Sequence, residues 1–220
     1  MGGHSAGEVA SARAIAALDT ALSSKAMAAA ASAEGMEHLL RAALDSANER
    51  VLALSRERPQ WSGAGTTVVI GAVRGRTLHV ANLGDSRAYL IRGSETSVLT
   101  VDHSLAAEWE QQGLLDAKRA RHHPLRNQLT ACLGMRGAIT PAYRSLAVER
   151  EDCVVLCSDG LWDMLPDPEI ARITRESSTP EEAVAALAAA ANDAGGADNI
   201  TAIVVWVASG PATERATRAG

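Results

Sequence analysis

Three things are scarce or missing in this sequence, and each absence removes a class of protein. Cysteine is the first. Cys132, Cys153 and Cys157 make an odd number with no CxxC spacing, which argues against a disulfide framework and fits a reducing cytosol. The second is positive charge in quantity. With a net charge of −5 and no long basic run, a nucleic-acid partner is excluded. The third is a long apolar run. No segment has the length or purity of a transmembrane helix, and the N-terminus lacks the basic-then-apolar pattern of a signal peptide. A cytoplasmic monomer is the expectation. Internal repeats and linkers are also absent, so residues 1–208 read as one domain. The small, polar residues 209–220 read as a disordered tail.

What is present is an ordinary globular composition, 47% apolar and 21% charged over 220 residues, enough for one sizeable core. Ser5 and Glu8 form an S-x-x-E capping signature for a first helix running to about Ser23. Residues 26–33 are alanine-rich and fit either a helix end or a loop. Met36, Leu39, Leu40, Ala43, Leu44, Ala47, Val51 and Leu54 trace one helical stripe, which Pro59 ends. Strands follow at 66–73, 77–83 and 87–92, joined by short turns, and predict a three-stranded antiparallel meander. Residues 98–100 are read as a fourth strand.

Further on, 103–112 is helical around Leu105 and Trp109. Residues 113–127 are polar, basic and histidine-rich, with Pro124 as a breaker, and read as an exposed excursion. An isolated short strand is expected at 143–148, and a short helix at 166–174. Thr179-Pro180-Glu181-Glu182 starts a last helix with a cap, a proline at the first position and early acids. That helix stops at Gly195-Gly196, before an alternating strand at 200–207. Helices come in a block, then strands, then mixed elements. This order suits two antiparallel sheets packed face to face with helices outside, an α+β sandwich, rather than a parallel doubly wound sheet.

The stretch that organises the rest is 153–162, CVVLCSDGLW. Five apolar residues rich in β-branched side chains read as a buried strand, in which Cys153 and Cys157 share one face. The strand breaks at Ser158-Asp159-Gly160. A carboxylate at the end of a buried strand is costly unless a cation or several donors neutralise it. Asp85 and Asp198 share this context, each at a strand end beside Gly or Asn. Each has an ordinary reading as well: Asp159 as a helix cap, Asp85 as a hairpin-turn residue, Asp198 as a loop cap. The chemical reading is a hard-cation site. Mg²⁺ and Mn²⁺ take oxygen ligands, and Mg²⁺ uses few carboxylates and keeps several waters. Nothing in the sequence resembles a zinc site.

MGGHSAGEVAS, GAGTT, ANLGDSRAYLIR, HPLRNQLTACLG, LCSDGLWD and GGADNITAIVV occur in one order. Together they resemble the bacterial branch of the metal-dependent PPM-type (protein phosphatase 2C) serine/threonine phosphatases, over nearly the whole of residues 1–207. The resemblance implies an α-β-β-α sandwich. It implies that Asp159 and Asp198 hold a core pair of Mn²⁺ or Mg²⁺ ions, and that Asp85 with Asp159 holds a third, weaker one. It matches 113–127 to a mobile flap, in which Arg119 stands where an acidic residue is common. In the family, Met-Gly-Gly follows an Asp-Gly that bridges the metals, and an acidic ligand and a phosphate-gripping arginine lie further upstream. The sequence begins after them, His4 does not replace them, and two strands of the sandwich are expected to be missing.

Two function classes are therefore open. The leading one is a phosphatase that attacks phosphoserine and phosphothreonine with a metal-activated water, weak or inactive in this chain, with phosphorylated proteins and a serine/threonine kinase as partners. The other is a non-catalytic phosphatase-like interaction module, against which the retention of all three aspartates counts. A phosphatase of anti-sigma-factor regulators shares the fold, but the HPLRNQLT wording favours the branch that opposes kinases.

Overall fold

The computed structural model describes residues 4–208, and the expected tail at 209–220 lies outside them. Among the described residues, seven strands form two antiparallel sheets. The first contains β1 (Val68–Arg74), β2 (Thr77–Leu83) and β5 (Ala142–Ala147), in the order β1-β2-β5. The second has the order β4-β3-β6-β7, from β3 (Arg87–Arg92), β4 (Glu95–Val98), β6 (Cys153–Cys157) and β7 (Ala202–Trp206).

Period-two alternation stacks these sheets. Leu78, Val80, Ala88, Leu90 and Val154 fill the space between them. The opposite faces of the same strands point to helices. Ala81 and Leu83 meet α1 (His4–Ala21) and α3 (Ala33–Glu57), whereas Tyr89, Val155 and Cys157 meet α7 (Asp167–Glu176) and α8 (Pro180–Asp193). The result is the expected four-layer sandwich. With no phenylalanine in the chain, alanine and the branched aliphatics make up most of the core. Alanines at Ala6, Ala10 and Ala14 let α1 lie close against α3.

The helix stripe at 36–54 is buried as read, except that Leu39 is only partly covered. The start of α8 also matches. The Thr179 hydroxyl accepts from the Glu182 amide at 3.1 Å, and the Glu182 carboxylate accepts from the Ser178 amide at 2.7 Å. The chain thus places a reciprocal cap where the sequence has Thr-x-x-Glu. At the other end, α1 begins at His4, so Ser5 lies inside the helix and the S-x-x-E pair is not its cap. The alanine-rich stretch divides into a short α2 (Ser24–Ala29) and the start of α3.

The three-strand meander is not formed. β1 and β2 pair, but β3 pairs with β4 and β6 in the other sheet. The turn at 84–86 therefore carries the chain from one sheet to the other. β2 and β3 are buried on both faces, so alternation alone carries no signal about which sheet each joins. The fourth strand sits at Glu95–Val98 rather than 98–100, because Gly93 at φ +54° closes a tight hairpin that pairs Arg92 with Glu95. β5 is not isolated; it pairs with β2. Among the described residues, no helix is long and apolar enough to cross a membrane.

β1 and β7 end their sheets, and Val73, Ile203 and Val205 are exposed there. Leu40, by contrast, is fully enclosed between α3 and its neighbours. Leu40→Ala is expected to cost about 2–5 kcal/mol. Ile15→Ala, on an exposed face of α1, should change stability by no more than about 0.5 kcal/mol. Urea unfolding of the two variants against the parent chain checks the contrast.

Candidate metal centre

The ends of β6 and β7 are tied together by one serine. The Ser158 amide donates to the Thr201 carbonyl at 3.0 Å, and its hydroxyl accepts from the Thr201 amide at 3.0 Å. The same hydroxyl donates to the Asn199 carbonyl at 3.3 Å. Immediately after it, a Cβ on Gly160 would lie 2.3 Å from the Asn199 carbonyl oxygen. Only glycine permits that approach. Asp159, at the start of the short helix α6 (Asp159–Trp162), is thereby brought beside Asp198. The repulsion is felt: burial first, then the Asp198 charge, raises the Asp159 carboxyl above the usual carboxylate range.

Asp85 arrives from the crossing turn between the sheets, which is pinned on several sides. Gly84, at φ +108°, packs where a Cβ would sit 2.5 Å from the Thr67 methyl. Its carbonyl accepts from the His103 amide at 3.0 Å and from the Asn82 side chain at 3.3 Å. Ser86 shares a 2.8 Å hydroxyl contact with Thr67. The Trp162 indole N–H donates to the Asp85 carbonyl at 2.9 Å. Burial, and after it the charges of Asp159 and Asp102, push the Asp85 carboxyl up to about 7.

Asp85, Asp159 and Asp198 thus form a chain of neighbours with Asp159 in the middle. Among the described residues none of them is in an ion pair, although nearby Asp102, Asp163 and Asp167 each face an arginine. Asp85 is buried, Asp159 half-buried and Asp198 exposed, and carboxylates gathered without an ion pair are what a hard divalent ion would relieve. The described residues do not complete a site, however: no group of three or more His, Cys, Asp or Glu side chains among them is arranged to hold a metal. Asp159 is not the N-cap of α6, since Ser158 holds that position. A thiol nucleophile is not available here, because burial raises Cys153 above its ordinary value and pushes Cys132 up to about 11 and Cys157 to about 12.

The excursion at 113–127 is less exposed than its composition implies. It contains a short helix, α5 (Ala117–Arg121), whose Ala120 is buried. Arg121 donates to the carbonyls of Trp162 (2.6 Å) and Leu165 (3.0 Å), and Arg126 pairs with Asp163 at 2.7 Å. Arg119 is exposed and meets only Asp116, one helical turn back, at 3.5 Å, the arrangement of a solvated basic face.

The sequence matches the protein phosphatase 2C family over residues 1–117 and 141–200. The chain belongs to that family. The serine/threonine phosphatase Stp of Listeria monocytogenes is 35% identical to it over 205 residues, 93% of this chain and 81% of that protein. Among solved structures, the Mycobacterium tuberculosis serine/threonine phosphatase PstP/Ppp superposes with a TM-score of 0.85 at 30% identity, covering 95% of this chain and 86% of the other. The catalytic domain of PstP in complex with two manganese ions gives 0.80 at 29% identity, covering 95% and 85%. The chain is accordingly a metal-dependent serine/threonine protein phosphatase by family. The part of the phosphatase that falls outside the family match, 118–140, includes most of α5 and the arginine that pairs with Asp163.

Sequence reasoning singled out the three aspartates but not the residues that support the turn and strand ends carrying them. Thr67, Asn82, His103 and Trp162 carry no chemical signature of their own. The visible sign was the run of polar residues around Gly84 in an otherwise apolar stretch.

In the metal-free protein, the raised Asp85 carboxyl fixes a pH dependence. The folded state keeps its proton up to about pH 7, whereas the unfolded chain ionises near the ordinary carboxylate value. The stabilising contribution is full below the unfolded value and is lost as pH rises through about 7, with a ceiling of about 4 kcal/mol. Asp85→Asn should therefore raise the melting temperature of the metal-free protein at pH 8 and leave it nearly unchanged at pH 4. Thermal unfolding in chelator at the two pH values checks this.

Proposed function

We propose that Asp159 and Asp198 hold a core pair of Mn²⁺ or Mg²⁺ ions, that Asp85 with Asp159 serves a third, and that the chain hydrolyses phosphoserine and phosphothreonine in proteins. The observation that carries this is the approach of Asp159 to Asp198, forced by Gly160 and Ser158 and left without a counter-charge. The donor set fits the ions, since the three side chains offer hard carboxylate oxygens. When bound, such ions lower the pKa of a water and orient it for in-line attack on phosphorus. The residues of the chain do the holding. Ser158 and Gly160 fix the two strand ends, and the turn at 84–86 presents Asp85 from the opposite sheet. Lys118 and Arg119 leave an exposed positive face on α5 that attracts the phosphorylated side of a substrate.

The substrates we assign are phosphorylated proteins produced by a serine/threonine kinase, met by a monomer in the cytoplasm. The absence of disulfides among the described cysteines fits that compartment. A non-catalytic, phosphoprotein-binding module is favoured by one observation, the lack of a complete three-ligand group among the described residues.

One assay separates the two readings. The 220-residue chain should turn over p-nitrophenyl phosphate weakly, only with Mn²⁺ or Mg²⁺, and Asp159→Asn or Asp198→Asn should lower the rate at least about tenfold, as loss of a transition-state contact does. Turnover that survives chelation or is unchanged in Asp159→Asn contradicts the phosphatase site. Binding of a phosphopeptide with no metal-dependent turnover points to the module.

A further inference from the structure

The part of the centre with no assigned role is the buried cation beside it. Arg87 opens β3, two residues after Asp85. Its guanidinium makes contacts of 3.1, 3.1 and 2.6 Å to the Asp102 carboxylate and lies 3.7 Å over the Trp162 ring. Burial works against its charge, but the hydrogen bonds and charge of Asp102, together with Tyr89, offset this and hold its pKa above the ordinary value. The guanidinium is therefore a permanent cation held over the face of an indole. That indole donates its N–H to the Asp85 carbonyl at 2.9 Å. Trp162 is also the last residue of α6, three positions after Asp159. One aromatic side chain thus spans the two segments that deliver Asp159 and Asp85.

We infer that Arg87 and Trp162 are positioning residues that set the Asp85 turn against Asp159, an inference that rests on the metal-site reading above. A buried ion pair is a poor way to gain stability, because a well-packed hydrophobe in its place is often as good or better. Its value here is directional. A cation over an indole face is attracted to the ring by the quadrupole, and so fixes the plane in which the indole N–H points. A cavity of about 640 Å³ opens alongside, with Arg87, Asp102, Arg121, Trp162 and Asp167 in its wall. The guanidinium borders this opening, while the indole beneath it is buried in the helix-facing core, so the stack and the hydrogen bond add direction to a ring that packing already encloses. Arg121, in the same cavity wall, secures the end of that helix through the Trp162 and Leu165 carbonyls.

Three variants of the full chain separate positioning from bulk stability. Trp162→Phe keeps an aromatic ring but lacks the N–H, Arg87→Lys keeps the charge without the planar fork, and Arg87→Met keeps neither. Each is measured by hydrogen exchange of the 84–86 amides without metal, by Mn²⁺ binding using electron paramagnetic resonance, and by thermal unfolding. Trp162→Phe should speed exchange at 84–86 and weaken Mn²⁺ binding about fivefold, the worth of one hydrogen bond, with exchange in α3 unchanged. Arg87→Met should do the same and Arg87→Lys less. Wild-type exchange at 84–86 in both Trp162→Phe and Arg87→Met overturns the inference. If the parent chain takes up no Mn²⁺, the metal-site reading fails on its own, and the metal-free exchange data still decide the positioning role. Should Arg87→Met not fold, Trp162→Phe carries the test alone.

Discussion

The contact on which the centre depends is the seating of Gly160 against the Asn199 carbonyl. A backbone this close to another backbone fixes the separation of the chains that bear Asp159 and Asp198, whatever their side chains do. The Ser158 hydroxyl then locks the same junction by donating to one carbonyl and accepting from one amide. Like charges are held together here by geometry that is itself uncharged. Burial first, and then the charges of the neighbouring aspartates, raises Asp159 and Asp85 above the usual carboxylate range. Four layers of packing hold the strand ends in place.

The sandwich supplies this rigidity with simple means. Two sheets alternate their side chains between an inter-sheet core and two helix-facing cores. Passing from one sheet to the other at 84–86 puts a turn at the end of both sheets, and Asp85 is carried on that turn. Had 66–92 formed one meander, Asp85 would sit in a hairpin on a single sheet. The same turn is where buried polar groups concentrate, and Asn82, Asp85 and Ser86 are all nearly enclosed. Their cost is offset by hydrogen bonds of Asn82 to the Gly84 and Val101 backbone, of Ser86 to Thr67 and of the Asp85 carbonyl to Trp162, since a buried polar group left unpaired would lose a stabilising contact and its hydration together.

Element by element, the chain was legible wherever periodicity was strong. The stripe from Met36 to Leu54, the strand Cys153–Cys157 and the Thr179–Glu182 cap all fell where the residues placed them. Sheet membership was not legible, because β2 and β3 are apolar on both faces and their pairing is decided by residues far away, such as Tyr143 opposite Ala81 and Val155 opposite Tyr89. Basic composition at 113–127 hid an anchored element for a related reason. Arg121 and Arg126 read as solvent-facing charges until their partners, the Trp162 carbonyl and Asp163, are known. The aspartates were visible through their Gly and Asn neighbours. Their supports were not, because a tryptophan that donates one hydrogen bond reads the same as a tryptophan in a core.

Charge placement around the centre follows one logic. Asp102, Asp163 and Asp167 lie within a few residues of α4 (Leu105–Gln111), α6 and α7, and each is neutralised by an arginine from another element: Arg87, Arg126, and Arg87 with Arg121. These pairs are partly shielded from water, so they are screened less than surface pairs. They consume the positive charge nearest the centre. Asp85, Asp159 and Asp198 are then the carboxylates left over, on the strand and helix ends that face one another. An arginine reaching any of the three would neutralise it, as Asp102, Asp163 and Asp167 are neutralised. Routing each nearby guanidinium to a different acid leaves the centre anionic, while the fold around it stays neutralised.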